Sequence, residues 1–404
     1  MRICLFIATD DLSKTISIYS EIILKTIKKL DSFTIINFDN ILKKKKNPNQ
    51  DEHNFSILKK KFGKEINYFN PSSKEEFLEY TRIDKIFAID GLGKTFKFFS
   101  IRRLINKKNI KLILIMHIGF VSNEAIYSLN GFKSYCFKFK KKINNLFYKF
   151  LVIIKFFPNI FIYFESRVEI YKNCVKNKKK KLSFFFPFLN ILYFQNIYLI
   201  NSKSYEQYLK NKNNLKEKKI IFLDGNYKHQ DIICRENLNL IKIKKNYFQK
   251  LDIFFSWIEN IFNQRVEICL HPSSDINEYK KYFKNRLVSK NLTSENIIKS
   301  AVVIFHETSG VLDAVMYKKK IISLNTRLLG KYIYDRISYY QRQLNLFSIE
   351  LDNYESYKNY KKKDVIINLN KSMQSYDTYI NAYLKSDCDE LATDKIIRIL
   401  KKYE

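Results

Sequence analysis

Short apolar runs, each followed by a stretch of helical pattern, recur through most of this chain, and that alternation sets the fold class. The early runs are Ile3–Ala8, Phe33–Phe38, Lys85–Ile89 and Lys111–Met116. Between the first two lies Ser13–Leu30, whose apolar residues fall mostly three or four apart. Strands separated by helices join in parallel through crossovers, which predicts a doubly wound α/β sheet. From about Asn196 the pattern resumes more cleanly. Strands are expected at Ile197–Ile200, Lys219–Leu223, Val266–Leu270, Val302–Phe305 and Lys320–Leu324. Helices are expected at Ser204–Lys212, Tyr247–Phe262, Ser294–Lys299 and Val311–Tyr317, with a mostly helical tail from about Lys361. The lysine-rich stretch Asn40–Lys60 reads as a loop with weak helix.

At 404 residues the chain corresponds to roughly two to three domains. Its composition is 46% hydrophobic, which excludes a disordered polycation despite a formal net charge of +33. Eight glycines and five prolines exclude collagen-like and proline-rich architectures. Boundaries are expected near 1–131, 132–195, 196–365 and 366–404. The six cysteines form no CxxC pair, which suits a reducing cytoplasm and argues against structural zinc. The opening residues Met1–Asp10 read as a first strand rather than a signal peptide, and no apolar run is long enough to span a bilayer.

The segment from Phe132 to Pro187 has its own character. Between Phe132 and Lys181, 14 Lys and Arg face two acidic residues, Glu165 and Glu169. Aromatics interleave with them, among them Phe137, Phe139, Phe147, Tyr148, Phe161, Tyr163 and Phe164, followed by Phe184–Phe188. Such segments suit a bilayer interface, where lysines meet anionic head groups and rings reach the acyl boundary. Residues 134–187 are therefore expected to dock the protein peripherally on the anionic inner face of the cell membrane. The plain alternative is a helical hairpin packed on the sheet. Nucleic acid is not an expected partner, because no recognised binding module surrounds the patch.

Open α/β sheets bind ligands outside the carboxyl ends of their strands. Three successive strand ends in the second half carry polar or titratable groups. Asp224-Gly225-Asn226 leads on to His229 and Asp231, His271-Pro272-Ser273-Ser274 follows the next strand, and His306-Glu307-Thr308-Ser309-Gly310 opens a helix. His117 also follows a strand. Backbone N–H groups at a helix start, with two hydroxyls, suit a phosphate, although Ser and Thr also simply cap helices. Proline after His271 ends the ladder and leaves the imidazole at the rim. In the first half, Asp90-Gly91 closes a strand in the same manner.

The ordered set from Ile220 to Leu351 resembles the second domain of bacterial sialyltransferases and Kdo transferases. It is closest to a group of surface-carbohydrate biosynthesis proteins. The resemblance implies a GT-B fold, two Rossmann-like domains facing a cleft, with an acceptor domain first and a nucleotide-sugar-binding domain second. It implies an inverting, metal-independent transferase moving an acidic ulosonic sugar from a CMP-activated donor to a surface glycan or lipid-linked acceptor, with no cofactor. His271, Thr308 and Ser309 would contact the donor phosphate, with Pro272, Ser273, His306, Glu307 and Gly310 around them. An acidic residue before glycine would be the general base. Asp90 and Asp224 both qualify, and neither carries the doubled acidic residue common in the motif. Runs of the DxD kind, Asp10-Asp11 and Asp387-Cys388-Asp389, read as a loop and a tail turn, so no metal is expected. A UDP-, GDP- or CDP-linked donor, an epimerase-like enzyme and a non-catalytic assembly protein are the alternatives.

Overall fold

Parallel strands are covered by helices on both faces, so their sequences are continuous apolar runs rather than alternating ones. Ile3-Cys4-Leu5-Phe6-Ile7 and Ile220-Ile221-Phe222-Leu223 are such runs, and every residue in them is buried. The structure, a computed structural model, describes residues 2–9, 12–30, 32–43, 48–63, 65–82, 85–92, 98–116, 160–179, 194–211, 219–228 and 240–403. Within these, two all-parallel sheets form.

The first sheet contains β1 (Arg2–Ile7), β2 (Phe33–Asn37), β3 (Ile66–Phe69), β4 (Ile86–Asp90), β5 (Lys111–Met116), β6 (Ile160–Glu165) and β7 (Phe194–Leu199). Their order is β3-β2-β1-β4-β5-β6-β7. The second contains β8 (Lys219–Leu223), β9 (Val266–Leu270), β10 (Val288–Lys290), β11 (Ser300–Phe305), β12 (Lys320–Asn325) and β13 (Phe347–Glu350). Their order is β10-β9-β8-β11-β12-β13. Each sheet is the doubly wound, Rossmann-like arrangement expected from the sequence. Alternate residues of β1 serve opposite faces: Ile3, Leu5 and Ile7 join one apolar cluster, Cys4 and Phe6 another. Cys4 thus acts as a small core hydrophobe.

The chain divides into two units, at boundaries other than those expected. One holds the described residues of Met1–His117, Cys136–Ser202 and Ser386–Glu404; the other holds those of Lys203–Lys385. Three expectations are corrected. The strand near Ile197, assigned to the second domain, is β7 of the first sheet and pairs with β6. The basic-aromatic segment is not wholly an insertion, because β6 lies inside the first sheet between β5 and β7. Tyr163 and Phe164 there are buried core, and Phe161 packs edge-on against Phe87 and Tyr403. The buried Tyr163 and Phe164 rings cannot meet a bilayer. Glu165 is also buried, bound by Arg167 and the Tyr163 hydroxyl. The parts of 132–195 left outside the described residues are 132–159 and 180–193, and His117, His229, Asp231 and Asp10-Asp11 lie outside them too.

The expected tail is likewise two things. The helix Lys362–Met373 packs on the second sheet, whereas Ala392–Lys401 packs on the first, its Ile396, Ile399 and Leu400 joining Ile3, Leu5 and Ile23. Asn201 secures this return. Its Nδ2 donates to the Cys388 and Glu390 carbonyls, at 2.8 and 2.7 Å, and its Oδ1 accepts from Ser386 N–H at 2.6 Å. Of the stretch Asn40–Lys60, expected as a loop with weak helix, the part from Pro48 onward belongs to a helix, Pro48–Phe62.

Candidate functional site

Strand order places β8 between β9 and β11, so the three polar strand ends lie on one edge of the second sheet. Neighbouring strands are about 4.8 Å apart, so the groups after β9 and β11 are separated by about 10 Å, with the β8 loop between them. That loop touches both neighbours. On one side an ideal Cβ on Gly225 would sit 2.6 Å from the Glu307 carbonyl oxygen, so glycine lets the β8 and β11 loops meet backbone to backbone. On the other, Asn226 Nδ2 donates to Ser273 Oγ at 2.7 Å. Asn226 is in the left-handed region, φ 58°, which asparagine tolerates better than most residues.

His271 sits at the end of β9, partly exposed. Ser274 N–H donates to the His271 carbonyl at 2.9 Å, closing a turn with Pro272 at its second position, where the fixed proline φ fits. Pro272 and Ser273 are exposed. His271 Nδ1 lies 2.7 Å from Ser273 Oγ and accepts from Ser273 N–H at 3.2 Å. After β11, Thr308 is partly and Ser309 fully exposed at the entry to the helix Val311–Met316, with Gly310 as its N-cap. Thr308 Oγ1 accepts from Gly310 N–H at 3.3 Å. The hydroxyl therefore makes a local capping bond, the plain alternative for this turn.

Four residues expected at the site have other work in the fold. Asp224 is 3% exposed and sits under the His271 turn. Ser274 Oγ and Tyr279 Oη donate to it at 2.5 and 2.7 Å, and His271 N–H at 3.4 Å. Burial pushes its carboxyl up, opposed by these donors. A sealed carboxylate with these partners is a strut for the turn, not an acceptor-side base. Asp90, at the end of β4, is bound by a two-pronged guanidinium. Arg102 Nη1 and Nη2 donate at 2.7 and 2.9 Å, and Leu92 N–H donates at 3.1 Å. Both side chains of the pair are buried. Fork geometry of this kind fixes the direction of the carboxylate, so Asp90, expected as a base, is held in the fold as a strut.

His306 is 1% exposed, and its Nδ1 donates to the Leu324 carbonyl at 2.8 Å. Its ring lies against Phe222 and Tyr247, and burial pulls its pKa down to about 4. It belongs to the core beneath β8 and β11 and does not reach a donor phosphate. Glu307 pairs with Arg336 of the helix Lys331–Leu344 at 2.5 Å. Its charge is matched, and a carboxylate would repel phosphate in any case. The edge that remains is His271, Ser273, Thr308 and Ser309, with Asn226 joining the turn to the β8 loop.

Sequence reasoning assigned no role to Asn226 and did not single out Arg102, Arg336 or Tyr279. For Asn226 a signal existed, an Asp-Gly-Asn turn directly after an apolar strand. The other three lie on helices at no diagnostic spacing: Tyr279 and Arg336 hold Asp224 and Glu307, and Arg102 holds Asp90 in the first unit. Among the described residues, no group of three His, Cys, Asp or Glu is placed to hold a metal ion, and no helix is long and apolar enough to cross a membrane.

No known protein family matches the sequence, and no curated protein does. Solved structures do share its fold. UGT2 of Phytolacca americana superimposes with a TM-score of 0.52 at 8% identity, with all of both chains covered. A protein from Listeria monocytogenes assigned as a UDP-N-acetylglucosamine 2-epimerase gives 0.50 at 12% identity, over 100% of this chain and 96% of that one. MurG of Acinetobacter baumannii gives 0.46 at 7% identity over the full length of both. At these identities the likeness concerns the fold, two Rossmann-like domains.

Proposed function

We propose that this chain is a glycosyltransferase using a nucleotide-activated sugar, and that the donor phosphate lies along the carboxyl edge of the second sheet. The observation that carries the reading is the alignment of β9, β8 and β11, which brings His271, Ser273, Thr308 and Ser309 to one edge. That edge presents an imidazole, exposed hydroxyls and backbone donors, with the nearby carboxylates Asp224 and Glu307 sealed or paired. Breaking a glycosyl phosphate bond moves negative charge onto the phosphate. Fixed donors at that position are the main electrostatic requirement. The fold is one that UGT2 of Phytolacca americana also has, which fits the reading without choosing a substrate.

Within that class, the ordered motifs favour a CMP-linked ulosonic acid as donor, transferred with inversion and without a metal to a glycan or lipid-linked acceptor. The basic residues between 132 and 159 supply the means to meet an anionic inner leaflet. Asp90 and Asp224 have no catalytic part in this reading.

A thermal-shift panel of CMP, CDP, UDP and GDP tests the site. A nucleotide at about a hundred times its dissociation constant stabilises by about 2.7 kcal/mol. His271→Ala should remove that shift and abolish transfer while leaving the unliganded melting temperature in place. A panel in which no nucleotide stabilises the protein refutes the reading. A UDP response with interconversion of a UDP-sugar and no transfer replaces it with an epimerase.

A further inference from the structure

We infer that Asn226 and Ser273 are positioning residues that set the tautomer of His271, so that its neutral ring carries the proton on Nε2. Two backbone N–H groups, which can only donate, fix every link. Lys228 N–H donates to Asn226 Oδ1 at 3.1 Å, so the other end of that amide, Nδ2, is the one facing Ser273. Asn226 Nδ2 therefore donates to Ser273 Oγ at 2.7 Å and occupies a lone pair there. The serine proton is then directed to its other neighbour, His271 Nδ1, 2.7 Å away. Ser273 N–H points at the same nitrogen at 3.2 Å. A proton on Nδ1 could still be accepted by the second lone pair of Ser273 Oγ, but it would face the Ser273 N–H head-on and lose that bond, so the backbone N–H makes Nδ1 the acceptor and Nε2 bears the hydrogen.

The consequence is chemical. A ring in this state donates through Nε2 and cannot take a proton there, so it meets an anionic ligand as a neutral hydrogen-bond donor. That last step rests on the donor-phosphate reading above; the tautomer does not. The chain also explains why the β8 loop matters to a histidine on the neighbouring strand. Asn226 keeps its left-handed backbone in a loop set by Gly225, and hands that geometry through Ser273 to the imidazole.

Long-range 1H–15N correlation of the full-length protein, at a pH where the ring is neutral, reads the tautomer directly. His271 should show a protonated Nε2 and an unprotonated Nδ1. Ser273→Ala removes one of the two donors to Nδ1, and one hydrogen bond of about 1 kcal/mol corresponds to about a fivefold rise in the Nδ1–H to Nε2–H ratio. Ser273→Thr should restore the native ratio. Asn226→Asp should shift the ratio further, because a carboxylate draws the serine proton away from the ring. Circular dichroism confirms that each variant is folded. A protonated Nδ1 in the native protein, or a ratio unmoved by Ser273→Ala, overturns the inference. Adding CMP or UDP should then move the Nε2 resonance. If the tautomer is as stated and neither nucleotide moves Nε2, the donor-phosphate reading fails and the positioning role stands.

Discussion

Replacing Asp90 separates a structural carboxylate from a catalytic one. Asp90→Asn keeps the shape of the side chain and removes its charge. Arg102, 1% exposed, is left with its guanidinium in the core opposite a neutral amide. The amide also presents an N–H toward one of the two guanidinium prongs, or toward the Leu92 N–H that Asp90 Oδ1 now accepts. Removing one partner of a buried ion pair costs about 3–5 kcal/mol. In a unit of this size each kcal/mol lowers the melting temperature by about 2–4 °C, so a fall of about 6–20 °C is expected. Differential scanning calorimetry measures it. The companion double variant Asp90→Asn/Arg102→Met removes the stranded cation and should melt above the single variant. If Asp90→Asn melts like the native protein yet has lost its turnover, the strut argument is wrong and Asp90 is the base after all.

Two further outcomes follow from the second unit. His306 has its pKa lowered to about 4, so the unfolded chain takes up a proton near pH 6.5 that the folded chain refuses until about pH 4. Stability from this group is therefore full above pH 6.5 and is lost as the pH falls toward 4, by about 3 kcal/mol in all. In His306→Gln that component should vanish from the pH dependence of urea unfolding; an unchanged profile rejects it. Gly225→Ala drives a methyl into the Glu307 backbone, and should cost about 1–3 kcal/mol and suppress the nucleotide-induced thermal shift. Gly310→Ala, whose new carbon would meet only side chains, the nearest being Leu223 Cδ1 at 3.3 Å, on a helical backbone, should be far milder. Equal effects at the two glycines contradict the account of the loop.

The strands most legible in the sequence were those buried on both faces, such as β1 and β8, which are unbroken apolar runs; β5 and the edge strand β7, both half-buried, were legible as well. β3 and β10, at sheet edges, were not foreseen: Ile66–Phe69 and Val288–Lys290 are short and include polar residues. β6 was hidden in another way. Its rings were read together with the lysines around them, and composition over fifty residues cannot tell a core strand from an interfacial one. At the site, the strand ends were legible because a parallel sheet must change from apolar to polar where its strands stop. The state of the carboxylates was not. Whether Asp90 or Glu307 is available depends on Arg102 and Arg336, which approach from helices and leave no local mark in the sequence.

The first sheet encloses a core that Ile396, Ile399 and Leu400 help to fill, although its opening strand is made of residues 2–7. During synthesis that half of the molecule must wait for residues beyond Ala392 to leave the ribosome, while all the described residues of the other unit, within Lys203–Lys385, have emerged beforehand. The amino-terminal strands are thus made early and finished late, and their exposed apolar edges are what a chaperone would have to guard in the interval.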